Sequence, residues 1–143
     1  MKAEDLVGSY VGRGRETIAA GSKARGPQAR EAAQPARIVY TKEGLVFAIS
    51  TPAGRAPTGV KDVREAPNEV KARLADDVVA YAGRYEMKDG KVLHHIEVSF
   101  FPDLVGRTNV RTPSFEGKVL TLTTEPDQKG GVQKIYWERI EKA

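Results

Sequence analysis

The chain has 143 residues, with 23 Lys and Arg against 19 Asp and Glu, a formal charge of +4, and no cysteine. That length suits one domain spanning 1–143, and the absence of cysteine excludes disulfides and thiolate chemistry. With 40% hydrophobic and 29% charged residues, the composition is that of an ordinary water-facing fold, and no apolar run nears the ~20 residues of a membrane-spanning helix.

The segment Met1–Leu6 carries Glu4 and Asp5 and no apolar stretch, so no secretory leader is expected. The lack of disulfide staples makes a cytoplasmic location the default expectation. A pI near 9.4 raises the question of nucleic acid. The densest basic stretch, Arg13, Arg15, Lys23, Arg25, Arg30 and Arg37, is spaced by small and polar residues, and no aromatic lies between Tyr10 and Tyr40. Nucleic-acid binders interleave their cations with stacking aromatics, so neither a nucleic-acid nor a membrane partner is expected.

In chain order, Leu6–Val11 reads as a first strand. Gly12–Pro35 reads as a long polar connection, extending over about 12–36, that is either a lid over a pocket or a disordered stretch. Arg37–Tyr40 and Leu45–Ile49 are β-rich runs joined by Thr41-Lys42-Glu43-Gly44, a hairpin signal. Pro52, Gly54, Pro57 and Gly59 punctuate a loop. After Pro67, the residues Val70, Leu74, Val78 and Tyr81 recur at helical spacing, which predicts one helix over about 68–82.

The period then returns to two. Tyr81–Met87 and Val92–Phe101 flank Asp89-Gly90, the strongest short hairpin signal. Arg107–Thr112, Val119–Thr124 and Val132–Ile140 follow, separated by turns at Pro102–Gly106 and Phe115–Lys118. Short strands with tight turns and one helix describe a mainly β fold, a meander closing into a small antiparallel barrel, with a sandwich as the alternative.

Three blocks carry a resemblance: Tyr81-Ala82-Gly83-Arg84-Tyr85-Glu86, His94-His95-Ile96-Glu97-Val98-Ser99, and Phe101-Pro102 followed by Val105-Gly106. Together with Asn109-Val110-Arg111, Leu120-Thr121-Leu122 and Trp137-Glu138-Arg139, they resemble a bacterial and fungal lipocalin-like domain family across most of 78–140. The resemblance implies a closed calycin-type barrel with an internal cavity. It also implies that Gly8-Ser9-Tyr10 and Arg139 stand where broader lipocalins pack a first-strand Gly-x-Trp under a C-terminal Arg. For function it implies binding of a small apolar or polyketide-like metabolite, with cofactor-independent cyclisation or isomerisation in secondary metabolism as its catalytic version. A non-catalytic carrier or sensor, or a protein-interaction module built on a filled barrel, is the alternative.

On a strand over Val92–Phe101, His95, Glu97 and Ser99 share one face, and His94, Ile96, Val98 and Phe100 the other. A symmetric turn at Pro102–Gly106 would set Ser99 opposite Asn109 and Glu97 opposite Arg111. That gathers His95, Glu97 and Arg111 as a candidate acid–base cluster, with Ser99 and Asn109 beside it as ligand contacts. The two-residue turn at Asp89-Gly90 gives a conflicting register, pairing Tyr85 with His94 and Met87 with Val92 and turning the apolar face inward. One bulge reverses the parity. The reading adopted puts the polar face inward and leaves the apolar face for the helix or a homodimer partner. The bland alternative is a Glu97–Arg111 ion pair on a solvated face. Tyr81 and Tyr85 are read as packing and ligand-binding groups.

No Gly-x-Ser-x-Gly elbow, P-loop or dinucleotide fingerprint is present, so no cofactor is expected. Adjacent histidines on a strand point to opposite faces, so no metal site is expected either.

Overall fold

Eight strands run alternately up and down in chain order: β1 (Gly8–Ile18), β2 (Ala36–Tyr40), β3 (Leu45–Ser50), β4 (Val79–Lys88), β5 (Lys91–Ser99), β6 (Thr108–Glu116), β7 (Val119–Thr124) and β8 (Val132–Arg139). In the computed structural model, which describes residues 1–26 and 34–141, each strand is antiparallel to the next. β1 also pairs with β8, which closes the barrel. Closure removes the free edges an open sandwich would keep.

The hairpin at Asp89-Gly90 forms as its sequence demands. Both residues take positive φ, 52° and 75°, the condition of a two-residue turn whose twist matches the strands. Lys88 therefore faces Lys91, and Tyr85 faces His94.

Two boundaries differ from expectation. The first strand does not stop at Val11. After an irregularity between Gly12 and Arg15 it continues, pairing Arg15 with Ile135 and Ile18 with Val132. Within this extension Glu16 and Ile18 are buried and Thr17 is exposed, a two-residue period that the neighbouring glycines obscure. Gly12–Ile18, the start of the expected lid, is thus strand, and 27–33 lie outside the described residues. The expected helix forms as α2 (Asn68–Leu74), with α1 (Ala3–Leu6) preceding β1. Its second half does not form, because Asp77 adopts φ 56° and β4 starts at Val79. Tyr81 belongs to the strand, where Tyr81, Gly83 and Tyr85 share the inward side, and no α2 side chain is buried.

The barrel end at the start of β1 is filled. Leu6, Tyr10, Tyr40, Val46, Tyr85 and Leu120 are buried there. Arg139 closes this end with its guanidinium carbon 5.0 Å from the Tyr10 ring centroid and 5.4 Å from that of Phe115. It donates to the carbonyls of Val7 at 2.7 Å and Asp5 at 2.8 Å. Tyr10 and Arg139 thus stand together, as the resemblance implies.

The register of β5 decides which face lines the barrel. Between Ala82 and Gly83 the pairing with β5 slips by one residue, so Tyr81 faces Ser99 while Gly83 faces Ile96. The extra residue leaves Glu97 and Val98 both exposed. Gly83 permits the slip: a Cβ there would run into the His95 carbonyl oxygen, so only glycine lets the backbones meet so closely. On the β6 side the connection is also asymmetric. Ile96 N–H donates to the Arg107 carbonyl and Gly106 N–H to the Ile96 carbonyl, so β5 and β6 part at Ile96, well before Pro102. His94 consequently faces Asn109, and Val92 faces Arg111.

Candidate functional site

That register overturns the expected cluster. His95 and Glu97 point outward, away from Arg111, and the Glu97–Arg111 and Ser99–Asn109 pairings do not form. His95 lies half-exposed on the outer face, with Nδ1 2.9 Å from the Thr108 hydroxyl and Nε2 3.3 Å from a Glu86 carboxylate oxygen. Ser99 is half-buried and its hydroxyl accepts from the Phe101 N–H at 3.1 Å. The conflicting register, from Asp89-Gly90, is the one the chain adopts as far as Ile96. Beyond the bulge it fails too, since Val98 is 66% exposed and Phe100 54%.

The half of the barrel away from Arg139 is hollow. A cavity of about 340 Å³ opens there, lined by Tyr81, His94, Asn109 and Arg111 among apolar walls from Ile38, Ala48, Leu122 and Ile135. Its size falls in the range of small-molecule sites. Ile49 and Val79 line it while remaining about half exposed, which gives the mouth an apolar rim. Tyr81, Asn109 and Arg111 therefore reach the interior. Tyr85 does not line this cavity; it lies in the filled half, its hydroxyl donating to the Thr41 carbonyl at 2.9 Å.

His94, set aside in the sequence reading, is the centre of the polar floor. It is 1% exposed. Its Nε2 lies 2.8 Å from the Tyr40 hydroxyl and its Nδ1 2.8 Å from the Tyr81 hydroxyl. Tyr81 is hydrogen-bonded in turn to Asn109. A neutral imidazole offers one donor and one acceptor, so one tyrosine donates to it and the other accepts from it. Burial, with the Arg111 charge and then His95 adding to it, pushes the His94 pKa down to about 3. His94 is therefore neutral at physiological pH. Burial also raises Tyr40 well above its ordinary value, and it raises Tyr81 against the opposing pull of Asn109 and Arg111.

Two further groups escaped the sequence reading. Trp137 lines the cavity and is 7% exposed, and its Nε1 is buried without a hydrogen-bond partner among the described residues. Tyr136, also at the wall, donates to the buried carboxylate of Glu16, which further accepts from the N–H groups of Arg25 at 3.0 Å and Gly26 at 2.9 Å. These bonds, the Tyr136 one foremost, hold the Glu16 carboxyl below its ordinary range. The signal for His94 was present in the Asp89-Gly90 turn, which pairs that histidine with Tyr85 and so puts both on one face. Neither Trp137 nor Glu16 announces itself without the β1–β8 register.

Among the described residues no group of three or more His, Cys, Asp or Glu side chains is arranged to hold a metal. What the arrangement can do chemically is bind: apolar walls take a hydrocarbon body, and Tyr81, Asn109 and Arg111 present polar atoms at one place.

No curated protein matches the chain at a significant level. Comparison with protein families matches residues 33–140 to the lipocalin-like domain, a stretch that holds β2 to β8 and leaves β1 outside. Since that match takes in most of the chain and the eight strands close in the up-and-down order described above, the protein belongs to the lipocalin-like domain family.

Proposed function

We propose that the barrel binds a small, largely apolar molecule in its open half. The observation that supports this best is the division of the barrel. One half is filled by Tyr10, Tyr40, Tyr85 and Leu120, while the other keeps a cavity of about 340 Å³ over a hydrogen-bonded polar floor. A barrel built only as an interaction scaffold would gain from filling that space, because empty apolar volume forfeits dispersion contacts. The neutral, polarity-sensitive fluorophore prodan tests the reading. Its emission should shift to the blue with wild-type protein, and Ala48→Phe, which fills the cavity from β3, should abolish the shift while the β-type circular dichroism persists. No shift with wild type, or an equal shift with the filled variant, would refute cavity binding.

A second reading, cofactor-independent cyclisation or isomerisation of the bound molecule, is favoured by one observation. Tyr81 meets the cavity with His94 and Asn109 behind its hydroxyl. In this reading the cavity holds a reactive conformer, and Tyr81 and Arg111 donate hydrogen bonds to the reacting oxygen as negative charge develops on it. His94 stays neutral and orients Tyr81. His95 and Glu97, on the outer face, take no part. Tyr81→Phe would then slow turnover ~10²-fold with binding largely retained. Conversion at the protein-free rate would mark the protein as a carrier.

A further inference from the structure

The cavity wall has an electrostatic bias that an apolar site does not need. Among the described residues lining it, Arg111 reaches the interior and no carboxylate does. Arg111 is half-buried on β6 and spends one guanidinium N–H on the Val110 carbonyl at 2.9 Å. An arginine fork has five N–H donors, and no described carboxylate forms an ion pair with this one. The nearby ionisable groups do not supply the missing charge. His94 is neutral, and the Glu16 carboxylate is engaged by Tyr136, Arg25 and Gly26.

A second, independent observation comes from β8. Trp137 lines the same cavity, and its indole N–H is buried with no acceptor among the described residues. A buried donor left without a partner carries a desolvation cost that an acceptor atom relieves. Indole and guanidinium are donors only, and Asn109 can donate as well. The polar wall is therefore built to give hydrogen bonds and to meet negative charge.

We infer that the cavity selects a small apolar carboxylate, its hydrocarbon body against Ile38, Ala48, Leu122 and Ile135 and its oxygens held by Arg111 with Asn109 and the Trp137 N–H. A planar guanidinium meets a carboxylate through two parallel bonds, and in a cavity walled by aliphatic side chains such charge-assisted bonds are worth more than at a surface. A cationic ligand finds no anionic partner among the described residues of the wall. A neutral one leaves the Arg111 charge unmatched. Burial is the main cause of the lowered His94 pKa, and the Arg111 charge adds to it, as a positive group at the wall would. The inference rests on the reading of the cavity as a binding site and names its ligand class.

The test is calorimetric titration at pH 7.5 with three probes of one shape: 1-naphthoate, its methyl ester and 1-naphthylmethylammonium. Naphthoate should bind at least about tenfold tighter than the ester, and the ammonium should not bind. Arg111→Gln should reduce naphthoate to the affinity of the ester and leave the ester within about threefold of its wild-type value. The chain has one tryptophan, so a single indole N–H resonance reports on Trp137, and it should move downfield with naphthoate. An ester that binds as tightly as naphthoate overturns the anion preference while leaving cavity binding intact. Failure of all three probes overturns both. Should Arg111→Gln not fold, the wild-type comparison still decides, because charge separates the three probes.

Discussion

The hydroxyl of Tyr40 lies 2.8 Å from Nε2 of His94, and both side chains are fully buried, at 1% exposure each. The pair joins β2 to β5 across the barrel and marks where the filled half ends and the hollow half begins. Tyr40→Phe keeps the ring and its edge-on contact with Tyr85, at 4.8 Å between centroids, but leaves one imidazole nitrogen unpaired. Denaturant unfolding should show a loss of about 1–3 kcal/mol, the cost of a buried polar atom without its partner. A change below about 0.3 kcal/mol would mean that the bond contributes little.

The same burial makes stability depend on pH. His94 titrates near 6.5 in the unfolded chain and near 3 in the fold. Between those values the unfolded state binds the proton and the native state does not. Stability conferred by neutral His94 is thus complete above pH 6.5 and declines as pH falls toward 3, with a limiting slope of about 1.4 kcal/mol per pH unit. Glu16, whose carboxyl is held below its ordinary 4.5, acts in the same direction at the acid end of that range. Its stabilisation is present above the unfolded value and is lost as the carboxylate protonates. Unfolding free energies measured at pH 7.5, 6, 5 and 4 should therefore fall steadily, and a flat profile from 6.5 to 5 would contradict a buried neutral His94.

At the closed end, Arg139 lies over Tyr10 and ties Val7 and Asp5. Tyr10→Ala removes a ring with no exposed surface and its hydroxyl bond to the Leu6 carbonyl at 2.7 Å. The expected loss is roughly 3–5 kcal/mol. Tyr10 does not line the cavity, so prodan affinity measured on the folded fraction should stay within about threefold. Weakened binding at unchanged stability would instead place Tyr10 in the site.

The barrel was legible because its signals are local. Asp89-Gly90 makes a two-residue turn and little else, and the alternation in Val119–Thr124 survives intact as β7. The site was legible only in part, because parity is a non-local property. Tyr81, Asn109 and Arg111 reach the cavity, whereas His95 and Glu97 were placed inward by counting across a turn taken as symmetric. The count fails at two points, the bulge opposite Gly83 and the early parting of β5 from β6 at Ile96. A one-residue slip turns a whole strand over, and what sets this one is an approach of Gly83 to the His95 carbonyl that no single segment reveals. The end of α2 is a milder case. Val78 and Tyr81 fit a helical period, but the β3–β4 pairing claims the residues from Val79 onward.

The most direct test is to watch the two histidines while the cavity is filled. His94 and His95 are the only histidines in the chain, one at the cavity floor and the other on the outer face, so their ring resonances report the two faces of β5 separately. With saturating prodan, the His94 ring and the Trp137 indole signals should shift together and saturably, while those of His95 stay in place. If His95 moves and His94 does not, the ligand sits on the outer face and the cavity assignment is wrong.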